Sequence, residues 1–184
     1  QGGVIDLEAA ERGTSVYFTQ KVVPMLPEII SNDLCSLRPN EDRFCLVCKI
    51  IVDKNGTLKN STFFEALINS KARLTYERLS DEIEQNKIHK IYSKSIKNLL
   101  EIYKRLKGNK EKRGALELEV PFYVPKFYND KIIKFISSPR TLSHMMIEEF
   151  MLAANIATAE ICLKFNMPSL YRVHPKPDLL KINH

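Results

Sequence analysis

The 184-residue sequence has no tryptophan, no low-complexity tract and no internal repeat, which argues against a disordered tail or a repeat array. No run of about 18 apolar residues occurs, so no membrane-spanning helix is expected. The opening Gln1-Gly-Gly-Val-Ile-Asp6 lacks the basic and apolar regions of a secretory signal. Cysteine is sparse: Cys35, Cys45, Cys48 and Cys162. Cys45 and Cys48 make a Cys-x-x-Cys, but inside an apolar run, Phe44 to Val52, that reads as a strand. Residues three apart on a strand point to opposite faces, which is poor geometry for a shared zinc or a disulfide, and no second pair completes a zinc site. The thiols are read as buried core groups in a reducing, cytoplasmic setting.

What remains is the composition of a globular protein. At 44% hydrophobic and 27% charged, the chain can fill one domain with a sizeable core. The formal charge of +6 permits a polyanionic partner without requiring one.

One stretch carries most of the punctuation. It runs from Arg12-Gly-Thr-Ser-Val-Tyr-Phe18, through Val23-Pro-Met-Leu-Pro-Glu-Ile-Ile30, to Asn32-Asp-Leu-Cys-Ser-Leu-Arg38. Pro24 and Pro27 remove backbone donors and fix φ, while Gly13 and Asn32-Asp33 mark turns. This reads as a winding, pinned segment, either a connection or a backbone that presents side chains to a ligand. Before it, Asp6 to Arg12 reads as a short helix capped by Asp6 and stopped by Gly13.

Arg43 to Asp53 reads as a central strand, apolar on both faces. Asn55-Gly56 signals a type I′ hairpin turn, with Thr57 to Asn69 as the returning strand. Asp81 and Glu84 resemble a capping box. From Ile88 to Leu106 the apolar residues recur at three- and four-residue spacing, an amphipathic helix that Gly108 is expected to end. Lys104 to Arg113 holds six Lys/Arg against one Glu, either a solvated, mobile loop or a phosphate contact. Ala115 to Val120 alternates like a half-buried strand and is expected to pair antiparallel with Lys131 to Ser137 after a turn at Asn129-Asp130. Thr141 to Phe165 is the longest helix signal, apolar over most of its circumference and so expected to be buried. Leu170 to His174 reads as a last short strand.

On that last helix His144, Glu148 and Asn155 fall within about 40° of each other, at about 100° per residue. Such a stripe is either a satisfied internal hydrogen-bond cluster or a ligand-facing surface. Tyr17 is either a packed core ring or a base-stacking platform. Tyr76 is either a buried strand–helix junction or a phenol able to bond a phosphate or a 2′-hydroxyl.

Arg12-Gly-Thr-Ser-Val-Tyr-Phe18, Pro24-Met-Leu-Pro-Glu28, Leu34-Cys-Ser-Leu-Arg-Pro-Asn-Glu-Asp-Arg43, Ser70-Lys-Ala-Arg-Leu-Thr-Tyr76, Arg113-Gly-Ala-Leu116, Ile147-Glu-Glu-Phe-Met-Leu-Ala-Ala-Asn155 and Leu170-Tyr-Arg-Val-His-Pro-Lys-Pro177 together resemble the catalytic RNB domain of the ribonuclease II / ribonuclease R family. The likeness is greater to the ribonuclease R branch and runs nearly end to end. It implies a magnesium-dependent, processive 3′-to-5′ exoribonuclease that hydrolyses single-stranded RNA to nucleoside 5′-monophosphates. It also implies an α/β (α+β) fold with a mostly antiparallel sheet against long helices. By the same resemblance, Tyr17 stacks near the scissile end, Tyr76 discriminates RNA from DNA, and Glu148 contacts the terminal ribose. Glu149, about 100° away from Glu148, is expected to be structural. Leu118 stands where some relatives carry a clamping phenylalanine; leucine offers apolar contact without a π-face, so Phe122 or another ring would have to substitute.

The family holds its magnesium on a closely spaced aspartate motif, whereas Asp33, Asp42 and Asp53 are isolated here. No metal ligand and no catalytic residue is therefore expected within residues 1–184, which read as one partial domain, the central part of an RNB domain. The aspartate motif and the family's catalytic arginine would lie upstream and downstream. The expectation is an internal piece that is inactive alone, binds single-stranded RNA with the rest of the enzyme as its partner, and self-associates through exposed sheet edges. The alternative is a non-catalytic RNA-binding or scaffold protein of the same fold.

Overall fold

The computed structural model describes residues 2–115, 122–171 and 173. The elements in order are α1 (Val4–Arg12), β1 (Val16–Tyr17), β2 (Val22–Val23), a π-helical turn (Ile29–Leu34), β3 (Asp42–Val52), β4 (Leu58–Asn69), α2 (Tyr76–Glu84), α3 (Lys90–Lys112), β5 (Tyr123–Tyr128), β6 (Lys131–Ser137) and α4 (Leu142–Lys164).

The strands form three separate antiparallel pairs, β1–β2, β3–β4 and β5–β6. Every strand among the described residues is therefore an edge strand, and the expected central position of Arg43 to Asp53 is corrected. Burial alternates along β3, leaving Phe44 89% and Leu46 71% exposed on one face. Continuous apolar sequence there reflects two apolar faces of which only one is covered. The thiols are corrected likewise. Cys45, Cys48 and Cys162 are half-buried and Cys35 is exposed, all four being free. Burial pushes the Cys48 thiol pKa up.

The β3–β4 turn is not the expected type I′. Only Gly56 has positive φ, at 80°, and its N–H donates to Asp53 O at 3.1 Å. This is a type I turn closed by a left-handed glycine. Asp53 Oδ1 accepts from Asn55 N at 2.8 Å and Thr57 N at 3.0 Å. Those bonds, led by Thr57 N–H, hold the Asp53 carboxyl below its ordinary pKa. A depressed folded-state value contributes stability that is present above the unfolded value, about 4, and is lost as pH falls through the folded one. Acid titration of stability below about pH 4 is expected to be shallower in Asp53→Asn, which keeps an acceptor oxygen but cannot titrate; equal slopes in the two proteins would refute it.

The β5–β6 turn does have both central residues at positive φ, Asn129 at 45° and Asp130 at 59°. Among the described residues the partner of β6 is Tyr123–Tyr128; of the expected partner Ala115 to Val120, residues 116–120 lie outside the described residues. Pro125 is tolerated because a two-stranded sheet leaves each strand one free edge. Residues 170, 171 and 173 adopt no strand, so the expected last strand is not found among the described residues.

The helices make the core. Leu79 of α2, Ile96 and Tyr103 of α3 and Met146 of α4 form one buried cluster, flanked by Leu99, Leu100 and Phe150. α4 buries one face through Met146, Ala153 and Ala157, but Met151, Leu152, Ile156 and Leu163 stay exposed, so burial around its circumference is corrected to burial along one side. α1 starts at Val4 with Gly3 as N-cap, and Asp6 acts from within the first turn by accepting Gly2 N at 2.7 Å. Gly13, at φ 66°, ends it as expected. The N-cap of α2 is Thr75, whose side chain accepts from Arg78 N at 3.4 Å; the Asp81/Glu84 box lies inside that helix and caps nothing. Gly108 does not end α3, and Lys104 to Lys112 is helix rather than loop. The glycine that takes positive φ, at 71°, is Gly114, one residue past the cap.

Candidate RNA 3′-end site on α2 and α4

The helix starts of α2 and α4 are stitched together by hydroxyls. Ser143 Oγ donates to Tyr76 O at 2.7 Å and lies 2.7 Å from Ser80 Oγ, while Ser143 N donates to Ser80 Oγ at 3.3 Å. Both serines are buried, 1% and 3% exposed, so these bonds leave the junction little freedom. Apolar side chains there would remove this second bond to the Tyr76 carbonyl, at a cost of about 0.5–1.5 kcal/mol.

That junction puts Tyr76 against the polar stripe of α4. The rings of Tyr76 and His144 stack with centroids 3.9 Å apart and planes 19° from parallel. His144 Nδ1 accepts from Thr141 N at 3.4 Å and lies 2.7 Å from Thr141 Oγ1, which fixes the imidazole from behind. One turn further along α4, Glu148 forms an ion pair with Arg140. Tyr76 is 42% exposed and the side chains of Arg140 and Glu148 are 44% and 42% exposed, so the cluster faces solvent. Asn155, two turns on, is exposed too. The stripe is thus partnered locally yet accessible, with a phenol, a carboxylate and a guanidinium at one helix start. Such groups can donate to a phosphate and accept from ribose hydroxyls.

Glu149 points the other way, is 7% exposed, and meets Lys110 Nζ of α3 at 3.0 Å. It is structural, as the helical angle implied. A second cluster ties α2 to α3: Arg78 Nε donates to Glu82 Oε1 at 2.8 Å, and the Tyr92 hydroxyl donates to the same carboxylate at 2.9 and 3.0 Å. Arg78, then Tyr92, holds the Glu82 carboxyl below its usual range.

Tyr17 stands apart from this cluster on the β1–β2 hairpin, 77% exposed, so it is not a packed core ring. Leu118 lies outside the described residues. Phe122 presents a ring that is 66% exposed beside β5. Sequence reasoning missed Arg140, which precedes the helix and so has no place in its periodicity, and it missed the stack of His144 on Tyr76.

Among the described residues no group of three or more His, Cys, Asp or Glu could hold a metal ion. The isolated acids are otherwise engaged: Asp33 with Arg38 and Arg43, Asp42 with Asn69, Asp53 with its own turn. These residues do not fit a magnesium site.

Comparison with known proteins accords with this geometry. The RNB domain family matches residues 1–184. Ribonuclease R of Vibrio parahaemolyticus is 41% identical over 183 residues, 97% of this chain and 22% of that protein. Among solved structures, Mycoplasma genitalium RNase R superposes with a TM-score of 0.90 at 30% identity, both as the apo form and in complex with ribose methylated single-stranded RNA. Those matches cover all of this chain and 29% of the solved ones. The chain spans about a fifth of the length of the curated relative. With mixed helices and antiparallel strand pairs, and the RNB family matched over its whole length, the chain belongs to the RNB domain family.

Proposed function

We propose that this chain is the part of a ribonuclease R-type exoribonuclease that grips the 3′ end of single-stranded RNA. The observation that carries the reading is the Tyr76–His144 stack with Glu148 one turn away. Tyr76 serves as the phenol that tells RNA from DNA, and Glu148 as the acceptor for the terminal ribose hydroxyls. Tyr17 and Phe122, both exposed, supply stacking faces, and Leu118 supplies apolar contact along the strand. A solved relative whose title names bound single-stranded RNA supports this choice of ligand. Stepwise magnesium-dependent hydrolysis from the 3′ end, in the cytoplasm, belongs to the full-length protein in this reading. The residues described here supply binding and orientation, and the chain alone is expected to show no nuclease activity.

Arg140 competes with ligand for the Glu148 carboxylate. Its guanidinium occupies Glu148 in the free protein, and a ribose must share or displace it. Binding of a fluorescent single-stranded RNA, against DNA of the same sequence, tests the reading with Tyr76→Phe and Glu148→Ala. Glu148→Ala is expected to lose about 10- to 100-fold of the RNA preference, the equivalent of a charge-assisted hydrogen bond of about 1.5–3 kcal/mol, and Tyr76→Phe about 2- to 10-fold, the equivalent of a neutral one of about 0.5–1.5 kcal/mol. Equal binding of both polymers by the unaltered chain, or a preference indifferent to both substitutions, would refute it.

A further inference from the structure

A second surface lies on the far side of α3. Glu101, Lys104, Arg105, Gly108 and Lys112 occupy an arc roughly opposite the core-facing Ile96, Tyr103 and Leu106, at about 100° per residue. The tip of the β3–β4 hairpin is seated beside that arc. Asn109 Nδ2 donates to Gly56 O at 3.0 Å, which brings Lys54 and Asn55 alongside the helix. Between them runs an open groove of about 320 Å³. Its one acid, Glu101, is paired with Arg105. Lys54, Lys104 and Lys112 are exposed and form no ion pair among the described residues.

Gly108 sits in the middle of this groove. A glycine inside a helix is destabilising relative to alanine, because its backbone loses more freedom on folding. Packing does not demand it here, because a Cβ at that position would meet nothing within 4 Å, and its φ is not left-handed. A helix surface stripped of its side chain, rimmed by lysines that form no ion pair among the described residues, is the surface on which a charged backbone can lie close. Lys104 and Lys112 are about 12 Å apart along the axis, the reach of a few successive phosphates.

We propose that this groove is a sugar-phosphate binding surface for a single RNA strand, separate from the α2–α4 cluster and blind to base and sugar. That the strand is RNA rests on the function proposed above; the groove itself reads only phosphate. It recruits the polymer by charge, whereas the cluster around Tyr76 selects its end.

The test uses fluorescein-labelled oligoadenylate RNA and its DNA counterpart, titrated with the chain at several salt concentrations. Lys104→Glu with Lys112→Glu is expected to weaken binding of both polymers at least tenfold at low salt. It should also flatten the dependence of log affinity on log salt by about 1.4, two contacts at roughly 0.7 each. Gly108→Ala is expected to raise the melting temperature, and Gly108→Leu to weaken binding without lowering that temperature. Tyr76→Phe should leave the salt slope unchanged. An unaltered slope and affinity in the folded lysine variants would overturn the proposal, as would tight binding by Gly108→Leu. Loss of RNA preference as a property of the unaltered chain, with the slope still set by the lysines, would overturn the reading of the Tyr76 cluster and leave the groove standing.

Discussion

Gly56→Ala is expected to destabilise the protein by about 3 kcal/mol, and so to lower its melting temperature by roughly 10 °C in a chain of this length. Two causes add. The φ of 80° costs an L-residue about 1–2 kcal/mol. A Cβ would also stand 2.1 Å from Arg105 O and 2.7 Å from Arg105 C, backbone atoms of a helix that cannot swing aside. Relief requires the hairpin tip to lift from α3, with a cost of about 1–3 kcal/mol as in an overpacked core. Lifting would break the Asn109–Gly56 bond and carry Lys54 away from Lys104 and Lys112. The melting temperature and the salt slope of RNA binding should therefore fall together. A variant melting within 3 °C of the unaltered protein would show that the tip is not seated as described.

Lys110→Met is the second large effect. The Lys110–Glu149 pair joins α3 to α4 at 3.0 Å, with side chains only 14% and 9% exposed. Methionine keeps most of the volume and removes the charge, leaving a carboxylate facing the helix interface. Breaking one side of a buried pair costs about 3–5 kcal/mol, and the slight exposure of Lys110 places this case near 3. Glu149→Gln keeps the shape and a hydrogen-bond acceptor, and is expected to cost about 1–2 kcal/mol. Urea unfolding at neutral pH measures both. If Lys110→Met lost less than 1 kcal/mol, the pair would be an ordinary surface bridge.

The helices and turns that follow local rules were legible in the sequence. The spacing up to Leu106 marks the buried face of α3 at Ile96, Tyr103 and Leu106, although Ile91 of the same pattern stays exposed; Gly13 ends α1, and Asn129-Asp130 turns the β5–β6 hairpin. Gly108 was misread because a helix-interior glycine and a terminating one look alike until the next capable residue, Gly114, is seen to take the left-handed conformation. β3 was misread because an apolar strand shows what its faces prefer and not how many neighbours it has. Asp81 and Glu84 match a cap by spacing, but Thr75 comes earlier and starts the helix first.

Of the site, the periodic part was legible and the tertiary part was not. His144 and Glu148 share a stripe because the helix repeats. That Tyr76 lies on His144 depends on two buried serines, Ser80 and Ser143, 63 residues apart, whose pairing no local pattern encodes. Arg140 reaches Glu148 from outside the helix, beyond any periodicity. The roles of Tyr17, Tyr76, Glu148 and Leu118 come from family resemblance and rest on the binding experiment.

Two consecutive residues of α3 hold different parts of the molecule: Asn109 binds the tip of the β3–β4 hairpin and Lys110 binds α4. Fraying of the last turn of α3 would release both together, so hairpin, α3 and α4 open and close as one cooperative unit. α1 and the β1–β2 hairpin have no buried residue to share in that cooperativity and belong to the low end of local stability. Tyr17 is therefore carried on a segment that opens readily, whereas Tyr76 sits on α2, which Ser80 and Ser143 bond to α4.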